Sequence, residues 1–177
     1  MKKVLGLVAA GLIFTVPFAK AEGNPFIGVD AGVSKIKVDV NSDSKDSGNK
    51  EAFAVKAGYA TDSYRIYGTF SLNNTEPDMV SYIEANFDGY ISGWKISPLV
   101  GFGVGYLFAD GKFLDNTSIE ADISDFMYSV KAGVIYRGKQ VDLEIGYKYA
   151  FLQGEDEDKN IDGNNLSFIY AGINYKF

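Results

Sequence analysis

Ten charged residues fall at positions of common parity within alternating stretches of the chain: Asp30, Lys56, Arg65, Glu84, Asp88, Lys131, Arg137, Asp142, Glu144 and Lys148. Gathered on the polar face of a closed sheet, they would form salt-bridged layers, because charges withdrawn from water need partners. The same set could instead line a narrow ion path. Catalysis meets a harder constraint, since the 177 residues include no His and no Cys. That removes an imidazole base and a thiolate nucleophile. No Ser–Lys or carboxylate-pair spacing points to another site, so neither an enzyme nor a cofactor is expected.

One segment has the look of a cation loop. Asp158-Lys159-Asn160-Ile161-Asp162-Gly163 follows the first half of a calcium-loop pattern, with Asp158, Asn160 and Asp162 as its oxygen donors. The bidentate Glu expected six residues after the glycine is replaced by Ile169. A solvated acidic loop with a glycine turn accounts for the same residues, and divalent ions bridging it to lipid phosphates are an intermediate reading.

The elements that must position these groups are strands. Apolar residues alternate with polar or small ones over about eight stretches, at 26–40, 51–61, 64–74, 78–91, 98–110, 125–137, 141–153 and 166–177. In the fifth, Val100, Phe102, Val104, Tyr106 and Phe108 oppose Gly101, Gly103 and Gly105. In the seventh, Leu143, Ile145, Tyr147 and Tyr149 oppose Asp142, Glu144, Gly146 and Lys148. The first changes phase between Val33 and Ile36, as a bulge or a strand leaving its layer would. The last places Phe168 and Tyr170 on the parity of its polar residues. Short connections at 61–63, 92–97 and 138–140 alternate with longer ones at 41–50, 111–124 and 154–165, and the one around Thr75 to Pro77 is short. The expected fold is an eight-stranded, antiparallel, up-and-down β-barrel.

Such a wall could face lipid or water. A soluble barrel of lipocalin type, secreted or periplasmic, would turn its apolar face inward around a small hydrophobic ligand. A transmembrane barrel turns that face outward, with aromatic girdles at its ends. Tyr64, Tyr90, Tyr106, Phe108, Tyr136, Phe151, Tyr175 and Phe177 lie near expected strand ends, and the polar face carries charges of both signs, which favours the membrane version.

Both ends of the sequence carry address-like features. Lys2 and Lys3, the apolar run Val4–Phe18 and Ala19-Lys20-Ala21 read as a secretory signal peptide over 1–21, cleaved before Glu22. This leaves 22–177 as one barrel domain. Without the signal, Lys and Arg fall from 17 to 14 against 23 Asp and Glu, a net of −9. That acidity argues against nucleic acid as a partner. At the other end, Tyr170, Gly172, Tyr175 and Phe177 resemble the C-terminal sorting signal of bacterial outer-membrane barrels.

On that signal and the strand pattern, the chain resembles the small eight-stranded outer-membrane proteins. These include the transmembrane domain of outer membrane protein A, outer membrane protein X, and the neisserial surface and opacity proteins. The resemblance implies residence in a Gram-negative outer membrane and contact with its lipid and lipopolysaccharide. It implies insertion by the barrel-assembly machinery, and a structural or surface-interaction role for the external loops. Eight-stranded enzymes of similar architecture use His, which this chain lacks. The periplasmic domain that some relatives append is not expected here.

Overall fold

The computed structural model describes residues 23–40, 43–46, 49–75, 78–110, 123–153 and 161–177. Its strands are β1 (Asn24–Val40), β2 (Asp43–Asp46), β3 (Lys50–Ala60), β4 (Tyr64–Thr75), β5 (Asp78–Tyr90), β6 (Ile96–Asp110), β7 (Ile123–Arg137), β8 (Val141–Leu152) and β9 (Ile161–Lys176). From β3 onward each strand pairs antiparallel with the next, β3 pairs with β1, and β1 closes the ring on β9. Among the described residues, strand β2 pairs with Lys37–Val40 of β1. The wall is therefore an all-antiparallel barrel of eight strands with a short hairpin on one rim.

Closure is extensive. Phe26 to Lys37 of β1 pairs without a break against Lys176 to Asn165 of β9, and the Phe177 amide donates to the Pro25 carbonyl at 3.0 Å. No strand edge is left open along this seam, which is how a barrel avoids edge-to-edge aggregation.

Turn chemistry sets the three short connections. Thr61 accepts the Ser63 and Tyr64 amides on its hydroxyl at 3.3 and 3.1 Å, a local side-chain turn. Gly93 turns the β5–β6 link at φ +80°, a conformation that L side chains rarely adopt. After β7, the Gly138 amide donates to the Val141 carbonyl at 3.0 Å and to Asp142 at 3.1 Å.

Three features differ from the sequence expectation. The expected loop 41–50 contains β2. The last strand begins at Ile161 rather than 166, so Asp162 stands in extended pairing opposite Asp39. The register irregularity in β1 lies between Lys37 and Asp39, beyond the apparent phase change at Ile36. Ile36 pairs opposite Leu166, which packs in an apolar inner layer at that end.

Candidate functional site

Strand alternation divides the side chains by sign of polarity, and the charges go inside. Asp30, Lys56, Arg65, Glu84, Asp88, Lys131, Asp142, Glu144 and Lys148 are buried. The outward parity carries Val100, Ile145, Ile169, Phe102 and Phe53, each more than half exposed. Monomeric soluble proteins rarely expose contiguous apolar surface on this scale.

The buried charges form a chain across the lumen. Lys56 contacts Asp30 and Glu144, both at 2.6 Å. The other oxygen of Glu144 meets Arg65 at 2.5 Å and accepts from Asn174 at 3.1 Å. Arg65 then reaches Asp88 at 2.7 Å, and Asp88 is shared with Lys131 at 2.7 Å. Tyr67 donates to Asp88 at 2.9 Å and accepts from Lys131. A second cluster pairs Lys148 with Glu84, which also accepts from Ser129 at 2.5 Å, while Lys148 donates to Tyr82 at 3.1 Å. Four cations thus meet four carboxylates, so the network is close to neutral. Mutual pairing of this kind offsets a desolvation cost of several kcal/mol per ion.

Rings complete the cage. The Arg65 guanidinium lies 5.0 Å from the Tyr67 centroid and the Lys131 ammonium 4.7 Å, while Lys148 lies 4.4 Å from Tyr82. Such cation–π contacts become stronger when water is excluded. Glycines supply the room. A Cβ at Gly101 would collide with the Asp88 carboxylate, and one at Gly172 with that of Asp30.

Apolar layers flank the charges. Val80, Tyr82, Leu107, Met127, Ala150 and Leu166 pack into one inward cluster, toward the ends of the strands that carry β2. Phe26, Ala60 and Tyr67 form another at the opposite end. Between the ion pairs remains a cavity of about 10 Å³, at the lower limit for a single water. Among the described residues, side chains fill the lumen between these layers.

Several solved structures share this architecture. Neisserial surface protein A aligns at 18% identity over 86% of this chain and 97% of that one, with a TM-score of 0.64. The N-terminal β-barrel domain of Pseudomonas aeruginosa OprF aligns at 11% identity over 88% and 100%, TM-score 0.58. Outer membrane protein H (OprH) from P. aeruginosa aligns at 17% identity over 87% and 99%, TM-score 0.55. The fold is that of the small eight-stranded outer-membrane β-barrels. No family model matches the chain, and no curated protein matches its sequence.

The sequence-derived site residues fall into two places in this barrel. Asp30, Lys56, Arg65, Glu84, Lys131, Glu144 and Lys148 meet in the lumen, together with Asp88. Arg137 and Asp142 do not join them. Arg137 lies at the mouth on the short-turn side, reaching over to Asp62 at 3.1 Å with its guanidinium 4.7 Å from the Tyr90 ring. Asp142 pairs there with Lys176 at 2.8 Å. Arg137 ends β7 and Asp142 is the second residue of β8, and common parity alone did not distinguish the middle of a strand from its rim.

Of the C-terminal set, Tyr170 is buried inward, Tyr175 and Phe177 are exposed outward, and Gly172 borders Asp30. Residues 1–22 lie outside the described residues, as do Asp158 and Asn160 of the expected cation loop. Asp162 lies on β9. Among the described residues, no group of three or more acidic, His or Cys side chains could hold a metal.

Sequence reading missed Tyr67, Tyr82, Ser129 and Asn174 as members of the network. Their inward parity was a usable signal, but neutral side chains at such positions carry no charge to flag them. The apolar inner layers were missed for a related reason, because alternation by itself implies a polar interior throughout. Phe168 and Tyr170 share the parity of the polar residues because they also point inward, stacked at 5.3 Å.

Proposed function

We propose that this protein is an integral outer-membrane barrel of a Gram-negative bacterium, serving as a sealed, rigid mount for external segments that meet partners. Export by a signal peptide over residues 1–21 and insertion by the barrel-assembly machinery belong to the same reading. The observation that carries it is the inverted distribution of side chains, with ion pairs in the lumen and large apolar residues on the outer wall. A lipocalin-like carrier needs the opposite arrangement. A filled lumen also speaks against an ion path.

The segments on the side opposite the short turns, β2 included, supply the partner-facing chemistry. Residues 41–49, 76–77, 111–122 and 154–160 hold ten Asp and Glu against three Lys. That balance favours cationic partners, or divalent ions shared with lipopolysaccharide phosphates, over nucleic acid. The lack of His and Cys supports a non-catalytic role.

The test is cell fractionation followed by gel mobility with and without boiling. An outer-membrane protein that needs detergent and migrates faster unboiled agrees with the proposal. A freely soluble protein with unchanged mobility contradicts it.

A further inference from the structure

The two ion pairs at the short-turn mouth differ in reach. Lys176 and Asp142 join neighbouring strands, β9 and β8, along the wall. Arg137 crosses the opening. It is the last residue of β7, and its amide donates to the Lys95 carbonyl of the β5–β6 turn at 2.6 Å. Its guanidinium donates to the Asp62 carbonyl at 2.9 Å and pairs with the Asp62 carboxylate at 3.1 Å, on the turn before β4. From β7 to β4 is three steps round the ring, where four is the greatest separation.

Tyr90, the last residue of β5, supports this span. Its ring centroid lies 4.7 Å from the guanidinium, and its hydroxyl donates to the Thr61 carbonyl at 2.7 Å. A side chain running from β7 to a ring on β5 passes over β6. There the inward residues Ser97 and Leu99 are fully buried, although they stand close to the end of the barrel. Leu99 pairs directly with Tyr90, and Ser97 with Ile135, also fully buried. One layer deeper lie Asp88 and its partner Arg65. The apolar layer of Phe26, Ala60 and Tyr67 comes from β1, β3 and β4, so it serves the other side of the mouth.

We propose that Arg137 and Tyr90 form a releasable strap that keeps water from the Arg65–Asp88 end of the buried network. It rests on the sealed-lumen reading above. The strap is the weak point of the seal, because the Asp62 side chain is 90% exposed and water competes for it. Its release hydrates one end of the lumen without opening a path through it. The cluster around Leu107 and Met127 still closes the other end.

The chain has no Cys, so Leu99→Cys and Ile135→Cys serve as separate reporters behind the strap. Each folded protein, identified by faster unboiled mobility, is exposed in detergent micelles to a small charged methanethiosulfonate, and labelling is followed by mass. With Arg137 in place both thiols should react slowly. Adding Arg137→Ala should speed both by about tenfold or more, as removing a local opening cost does. Arg137→Lys keeps the charge but loses the fork that grips two Asp62 oxygens, so its rates should fall between. Met127→Cys, at the far end, should stay slow in every background. Two reporters guard against one that fails to fold.

Fast labelling at 99 and 135 with Arg137 in place overturns the strap, as do rates that Arg137→Ala leaves unchanged. Equal acceleration at 127 also overturns it, by showing that the whole barrel has loosened. These results leave the sealed barrel standing. Fast labelling at 127 with Arg137 in place overturns the sealed lumen itself.

Discussion

Arg65 and Glu144 meet at 2.5 Å from strands that stand opposite one another in the ring, β4 and β8, four strands apart in either direction. The contact therefore ties the two sides of the wall together through the lumen. Glu144 also holds Lys56, and Arg65 also holds Asp88, so both residues are nodes rather than ends. Removing Glu144 would leave two buried cations short of a carboxylate.

Glu144→Ala should destabilise the barrel by about 3–5 kcal/mol, the usual cost of stranding a buried charge. Urea unfolding in lipid vesicles, followed through Trp94 as the chain's one tryptophan, measures this. The double variant Arg65→Met with Glu144→Met should cost clearly less than the two single changes added together. Strict additivity would mean that the two residues do not act as a pair.

Arg137→Ala should cost far less, about 0–1 kcal/mol, although it also breaks an ion pair. Its partner Asp62 is 90% exposed at the side chain, so water already screens that contact. The same unfolding assay compares the two. An effect as large as that of Glu144→Ala would place Arg137 within the buried network.

Gly172→Ala should destabilise by about 1–3 kcal/mol, because its Cβ meets the Asp30 carboxylate and the wall has no room to move it. Gly89→Ala is the matched control. Nothing lies within 4 Å of the Cβ it would add, so its unfolding midpoint should hardly change.

Planar-bilayer recordings should show no steady conductance from the wild type, because side chains fill the lumen from the Leu166 layer to the Phe26 layer. Regular single-channel steps would contradict a sealed barrel.

Much of this barrel was legible in the sequence because lipid and lumen impose opposite demands on successive residues. Val100-Gly101-Phe102-Gly103 and Leu143-Glu144-Ile145 alternate so strictly that the wall, its closure and most of its inward charges follow from parity. Parity could not give depth. Arg137 and Asp142 share the inward parity of Lys131 and Glu144, yet they lie at the mouth. Nor could it identify Tyr67 and Phe168, whose rings fill the lumen, since an aromatic at an inward position looks like an error of phase. The extra turns of ladder at β2 and at the start of β9 lie in polar, glycine-containing sequence that reads as loop, and only pairing with β1 reveals them.

The central claim is that apolar residues face lipid while their neighbours face a packed, charged lumen. The chain has no native Cys, so β7 can be scanned with one spin label at a time, replacing Phe126, Met127, Tyr128, Ser129 and Val130 in turn by Cys. In native membranes, labels at 126, 128 and 130 should collide readily with oxygen, which partitions into lipid, and hardly with a water-soluble nickel chelate. Labels at 127 and 129 should meet neither. Strong nickel-chelate collisions at 126, 128 and 130 would put that face in water and contradict the account.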